Sequence, residues 1–156
     1  MNWDTFKHTP SLRILNLERN SLGLGPLKPF PQIPKLQELI FSANSVSAFP
    51  SNMFVKLTSL RRLVISRNRL TSFYINLPNA LEYLDISGNL LDSLDNSALA
   101  KLGQMHSLVL HVDHNPLQCD SNQIEFVYWY QNTRIHIMNI IITLVLMPLS
   151  TLILTV

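Results

Sequence analysis

Apolar positions recur in a fixed order along most of the chain. Four stretches share one template, L-x-x-L-x-L-x-x-N-x-L, with Phe, Ile or Val allowed for Leu. They are "LRILNLERNSL" from Leu12, "LQELIFSANSV" from Leu36, "LRRLVISRNRL" from Leu60 and "LEYLDISGNLL" from Leu81. Their starts are 24, 24 and 21 residues apart. The L-x-L core alternates inward and outward positions, as a strand does. The asparagine turns the chain out of that strand, because its amide both donates and accepts and can satisfy backbone groups the turn buries. Six and three residues before the first leucine stand Phe30 and Ile33, then Phe54 and Leu57, then Leu99 and Leu102. Phe6 holds that place before Leu12, although Thr9 breaks the pattern. A fifth copy, "MHSLVL" from Met105, is disturbed: the asparagine expected at position 113 is Asn115. Two extra residues within "HVDH" predict a bulge or an irregular last strand.

This template, repeating every 20–29 residues or so, is that of leucine-rich repeats. It predicts an α/β fold, a leucine-rich-repeat solenoid in which a short horseshoe arc carries a parallel concave sheet. About five repeats fill residues 1–117, the first partial at its N-terminal side. One repeat cannot bury its own apolar face, so only the stack is stable. Asn20, Asn44, Asn68 and Asn89 are then structural, stacked as a ladder. The fourth repeat is three residues short and carries Pro78, which predicts little or no helix on its convex side. The first repeat exposes Leu12, Leu15 and Leu17, which predicts marginal folding or self-association unless a partner covers that end.

Repeat proteins bind through the variable positions of a regular surface. Here these are Arg13, Gln37, Arg61, Glu82 and His106 before the strand leucines. Between the inward residues come Asn16, Ile40, Val64, Asp85 and Val109, and one step further Glu18, Ser42, Ser66, Ser87 and His111. Arg61, Arg62 and Arg67 make one repeat basic, while Glu82 and Asp85 make the next acidic. Ile40 and Val64 are expected as neighbours on the concave sheet, a candidate apolar partner patch. The candidate binding surface is therefore Arg13, Ile40, Arg61, Arg62, Val64, Glu82 and Asp85.

The net charge of +2 and the absence of a basic block give nucleic acid no support as a partner. Gly23 and Gly25 in "SLGLGPL" lack the pattern of a phosphate loop. The single cysteine, Cys119, makes no intrachain disulfide. His106, His111, His114 and Cys119 do not have a common zinc spacing, and no nucleophile signature surrounds Cys119. Neither an enzyme nor a cofactor or metal site is expected. The N-terminus lacks the apolar run of a signal peptide, and the chain holds no Asn-x-Ser/Thr sequon.

Beyond the repeats, "NPLQCDSNQIEFVYWYQNT" resembles the start of the C-terminal cysteine cap of Toll-like receptor ectodomains, at Asn115, Pro116, Leu117, Cys119, Phe126 and Trp129. Ser121 stands where that family has its second cap cysteine, and the later two are absent. The resemblance implies an incomplete cap helix over 118–134, with Asn115, Cys119 and Trp129 structural. It implies extracellular or lumenal repeats and innate immune recognition of a protein or pathogen-derived ligand, with receptor pairing but no signalling domain. The tail, "IHIMNIIITLVLMPLSTLILTV" over 135–156, carries no Asp, Glu, Lys or Arg in 22 residues. It predicts an apolar C-terminal helix long enough to span a bilayer. The alternative is a non-signalling soluble repeat scaffold, or a truncated fragment with no activity of its own.

Overall fold

The computed structural model describes residues 3–117 and the backbone of 136–138. Six three-residue strands form one parallel sheet in chain order: β1 Ile14–Asn16, β2 Glu38–Ile40, β3 Arg62–Val64, β4 Tyr83–Asp85, β5 Val109–His111 and β6 His136–Met138. Parallel neighbours need a long crossover between them. The template provides one per repeat, mostly as turns, with a short 3-10 segment at Leu22–Leu24 between β1 and β2; another, Asp4–His8, precedes β1. One α-helix, α1 Asn96–Gly103, stands among the described residues, in the crossover from β4 to β5. Asp95 caps it by accepting from the backbone nitrogens of Ser97 and Ala98. The crossover from β3 to β4, with Pro78, has no helix.

The register stacks equivalent leucines. Leu15, Leu39, Leu63, Leu84 and Leu110 are partners across the sheet and are buried. Phe41, Ile65, Ile86 and Val112 form the second buried tier. One continuous core runs through all repeats, and the convex side fills it with Phe30, Phe54, Leu57 and Leu102. At its N-terminal side an aromatic group replaces aliphatic packing. Trp3, 2 % exposed, stacks on Phe30 at 4.6 Å and meets Phe41 edge-on at 6.0 Å. Its indole Nε1 donates to the Lys28 carbonyl at 2.7 Å, so the ring's one polar atom is satisfied. Leu12 and Leu17 pack against this core while only partly buried.

The fifth repeat is more regular than its sequence alignment. Leu84 pairs with Leu110, so Leu110 and Val112, not Leu108 and Leu110, are its inward pair. Asn115 then falls in its normal place, and the expected two-residue bulge is absent. The convex frame shifts as well. Leu57 donates to Phe54 and Leu60 to Leu57 in repeat three; in repeat five Met105 donates to Leu102 and Leu108 to Met105. Leu102 and Met105 thus occupy the places expected for Leu99 and Leu102, and α1 adds Leu99 a turn earlier. The backbone gives the same register: the residue before each ladder asparagine is left-handed, with φ 58° at Arg19, 54° at Ala43, 53° at Arg67, 60° at Gly88 and 55° at His114. Only Gly88 adopts this without Cβ strain.

The segment expected as an apolar helix differs at its start. Residues 136–138 run as β6, parallel to β5, with Val109 opposite His136 and His111 opposite Met138. The edge of β5 presents unpaired backbone groups, and a strand satisfies them where a helix cannot. The expected cap helix over 118–134 and the rest of the tail lie outside the described residues. No described helix is long and apolar enough to cross a membrane.

Candidate recognition face

The asparagines form a continuous ladder inside the turn. Oδ1 of Asn68 accepts from the backbone nitrogens of Asn44 and Val46, both at 3.0 Å. Its Nδ2 donates to the carbonyls of Phe41, Ile65 and Ser66. Asn44 repeats this bonding. Among the described residues Asn89 donates to Ile65, Ile86 and Ser87 while accepting from Leu70, and Asn115 donates to Ile86, Val112 and Asp113 while accepting from Leu91. Each amide therefore ties its own turn to the preceding repeat. Asn20, in the first repeat, is exposed, and among the described residues its side-chain amide donates only to the Glu18 carbonyl. Ser42 and Ser66 join this interior with hydroxyls 3.1 Å apart, both buried, so they are not displayed for binding.

Outward side chains stand in two rows across the concave sheet. The register aligns Ile14, Glu38, Arg62, Tyr83 and Val109 in one, and Asn16, Ile40, Val64, Asp85 and His111 in the other. The first row is knitted together by side chains. Arg62 Nε donates to Glu38 Oε1 at 3.1 Å, and the guanidinium carbon lies 3.7 Å from the Tyr83 ring centroid. Tyr83 in turn meets the His111 ring at 5.0 Å, tilted by 39°. A stacked guanidinium is attracted by the ring's negative face and holds its plane there.

The expected surface residues divide. Ile40 and Val64 are register partners, Ile40 half-buried and Val64 9 % exposed, so they form one small apolar floor. Arg61 Nη1 meets Glu82 Oε1 at 2.5 Å, an exposed cross-repeat ion pair. Asp85 Oδ1 accepts from both the backbone nitrogen and the hydroxyl of Ser87, at 2.9 and 2.6 Å. Arg13 is exposed in the first repeat and has no ion pair among the described residues. His111, rather than Val109, stands opposite Asp85, following the corrected register. The sequence pattern alone did not single out Glu38 and Tyr83. The signal was present: the template has two variable residues before its second leucine, and the one adjacent to that leucine alternates outward with it.

Among the described residues, no three His, Cys, Asp or Glu are placed to hold a metal ion. His114 Nδ1 and Asp113 Oδ2 lie 2.6 Å apart on the exposed turn. Cys119 and Trp129 lie outside the described residues. An open cleft on the convex side, bordered by Val55, Lys56 and Lys7, gathers no buried polar group.

The family model "Leucine Rich Repeat" matches residues 80–102, which span β4 and most of α1. The described fold is a leucine-rich-repeat solenoid. It is similar to the crystal structure of human 5T4 (Wnt-activated inhibitory factor 1, trophoblast glycoprotein), with a TM-score of 0.61 and 29 % identity over 67 % of this chain. The match spans 38 % of that structure's length. The comparison with curated proteins returns no match. A repeat module of the protein-interaction type is thereby supported, whereas a Toll-like receptor identity has no support from these comparisons.

Proposed function

We propose that the chain is a recognition module that binds a protein partner on the concave face of its repeat arc, and that it acts by binding rather than by catalysis. The observation that carries this reading is the chain of contacts Glu38–Arg62–Tyr83–His111, which crosses from β2 to β5 on the open side of the sheet and links its two outward rows. Arg and Tyr dominate interface hot spots because they combine large contact area with directed polar groups. The parallel sheet holds such groups about 4.8 Å apart from strand to strand, a rigid platform for a partner surface. The innate immune reading rests on the cap motif, of which Asn115 to Leu117 are described, and we carry forward no immune ligand. Placement of the repeats outside the cytosol is part of the proposal. It is supported by that motif and by the similarity to 5T4, which is named a glycoprotein.

A photoreactive side chain at Asp85, introduced in cells, is expected to give a discrete protein adduct that Val64→Arg removes. The same group at Val55, on the convex side, is expected to give none. Adducts from Val55 alone, or none from Asp85, would overturn the proposal. A soluble scaffold is the second reading, and β6 favours it, because the start of the apolar tail lies as a strand on β5. Resistance of the full chain to carbonate extraction from membranes supports attachment through the tail; release into the supernatant supports the scaffold.

A further inference from the structure

We infer that Arg62 is the centre of this face and receives an aspartate or glutamate side chain of the partner, set beside an aliphatic side chain. This rests on the concave face being the recognition surface. The guanidinium is fixed before a partner arrives. Glu38 holds Nε at 3.1 Å, and Tyr83 supports the plane from beneath at 3.7 Å. Among the described residues, no group accepts from its two terminal nitrogens. Their edge is a donor fork already immobilised, so little side-chain entropy is lost on pairing. A carboxylate meets such a fork with two parallel hydrogen bonds. The acids around it are engaged: Glu38 by Arg62 itself, Glu82 by Arg61, and Asp85 by Ser87. The open demand at Arg62 is thus for an acceptor from outside.

Ile40 and Val64 supply the second half of the recognition. They lie two residues along β2 and β3 from the Glu38–Arg62 pair, so a carboxylate on Arg62 brings its neighbouring residue over an apolar floor. Partial drying there strengthens the charged hydrogen bonds. Arg62 also sits mid-sheet, with strands on both sides, which suits a chain passing across it and a side-chain rather than a terminal carboxylate.

The test is a library of disulfide-closed peptide loops, fused so that side chains are their only carboxylates, selected on the full chain. Selected loops are expected to carry Asp or Glu beside Ile, Leu or Val. Arg62→Ala should weaken them about 10- to 100-fold, the range for losing a charged bidentate contact. Arg62→Lys should lose most of the same affinity, and changing the loop's acid to its amide should match Arg62→Ala without adding to it. Arg69→Ala, at an exposed arginine in the turn after Asn68, should have no effect. Loops that Val64→Arg abolishes, yet that lack an acid or tolerate Arg62→Ala within about twofold, overturn the inference while leaving the face intact. Loops indifferent to Val64→Arg, or no selected loop at all, overturn the face itself. Far-UV circular dichroism identical to the parent is required of each variant.

Discussion

Replacing Asn68 by alanine probes the ladder at its centre. Asn68 is 6 % exposed and makes five hydrogen bonds through one amide. Not all five are lost at equal cost. The Phe41 carbonyl still accepts from Asn44, and the Ile65 carbonyl still accepts from Asn89. Among the described residues, the backbone nitrogens of Asn44 and Val46 have no such second partner. Each buried donor left unsatisfied costs about 1–3 kcal/mol, so with two such donors Asn68→Ala is expected to cost about 2–6 kcal/mol. That is a large share of a typical domain stability of about 5–15 kcal/mol. Asn20→Ala, which removes one exposed bond, is expected to cost less than about 1 kcal/mol. Asn68→Asp is expected to exceed Asn68→Ala at neutral pH, because a carboxylate sets acceptors against three carbonyls. Urea denaturation followed by far-UV circular dichroism gives the three values. Amide exchange supplies a local reading, with protection lost first at Asn44 and Val46. An Asn68→Ala cost equal to that of Asn20→Ala would refute the ladder as a source of stability.

Phe41→Ala, at the junction of Trp3, Phe30 and Phe49, is expected to cost about 3–5 kcal/mol in the same denaturation assay and to shift Trp3 fluorescence to longer wavelength. Gly23→Ala drives a Cβ into the Ser45 carbonyl and within 2.7 Å of the Val46 nitrogen, so a loss of about 2 kcal/mol is expected; a neutral result would show that the turn can open. Asp95→Ala should cost about 1 kcal/mol of helix capping. Burial raises the Asp95 pKa, but the Ser97 side chain and the backbone donors of Ala98, Ser97 and Asp95 outweigh it and leave the carboxyl below its ordinary 3.8. Its contribution is therefore complete above the unfolded value and lost as pH falls through the lower folded value, so the gap between parent and Asp95→Ala should close in acid. A gap that persists unchanged in acid would refute the charge as its source.

The recurrent template determined a great deal unaided. Strand period, inward leucines and turn asparagines follow from local geometry, since a residue two places along a strand returns to the same face whatever lies beside it. That is why Leu39, Leu63 and Leu84 were legible as core; Ile40 and Val64 were legible as neighbours because two successive repeats with identical spacing put them at the same template position. Cross-strand identity is another matter, because it depends on backbone bonds between segments more than twenty residues apart. The fifth repeat shows the difference: apolar residues at 108, 110 and 112 permit two frames, and only pairing of Leu84 with Leu110 selects one. The same pairing puts His111 beside Tyr83 and Asp85. The Glu38–Arg62–Tyr83 row exists because three repeats place unlike residues at one register position. Likewise, β6 at His136–Met138 is absent from the hydropathy of an uncharged tail, because an open sheet edge, not local preference, makes those residues a strand. Sequence alone determined the repeating unit and its buried face; tertiary register decided which side chains meet on the open one.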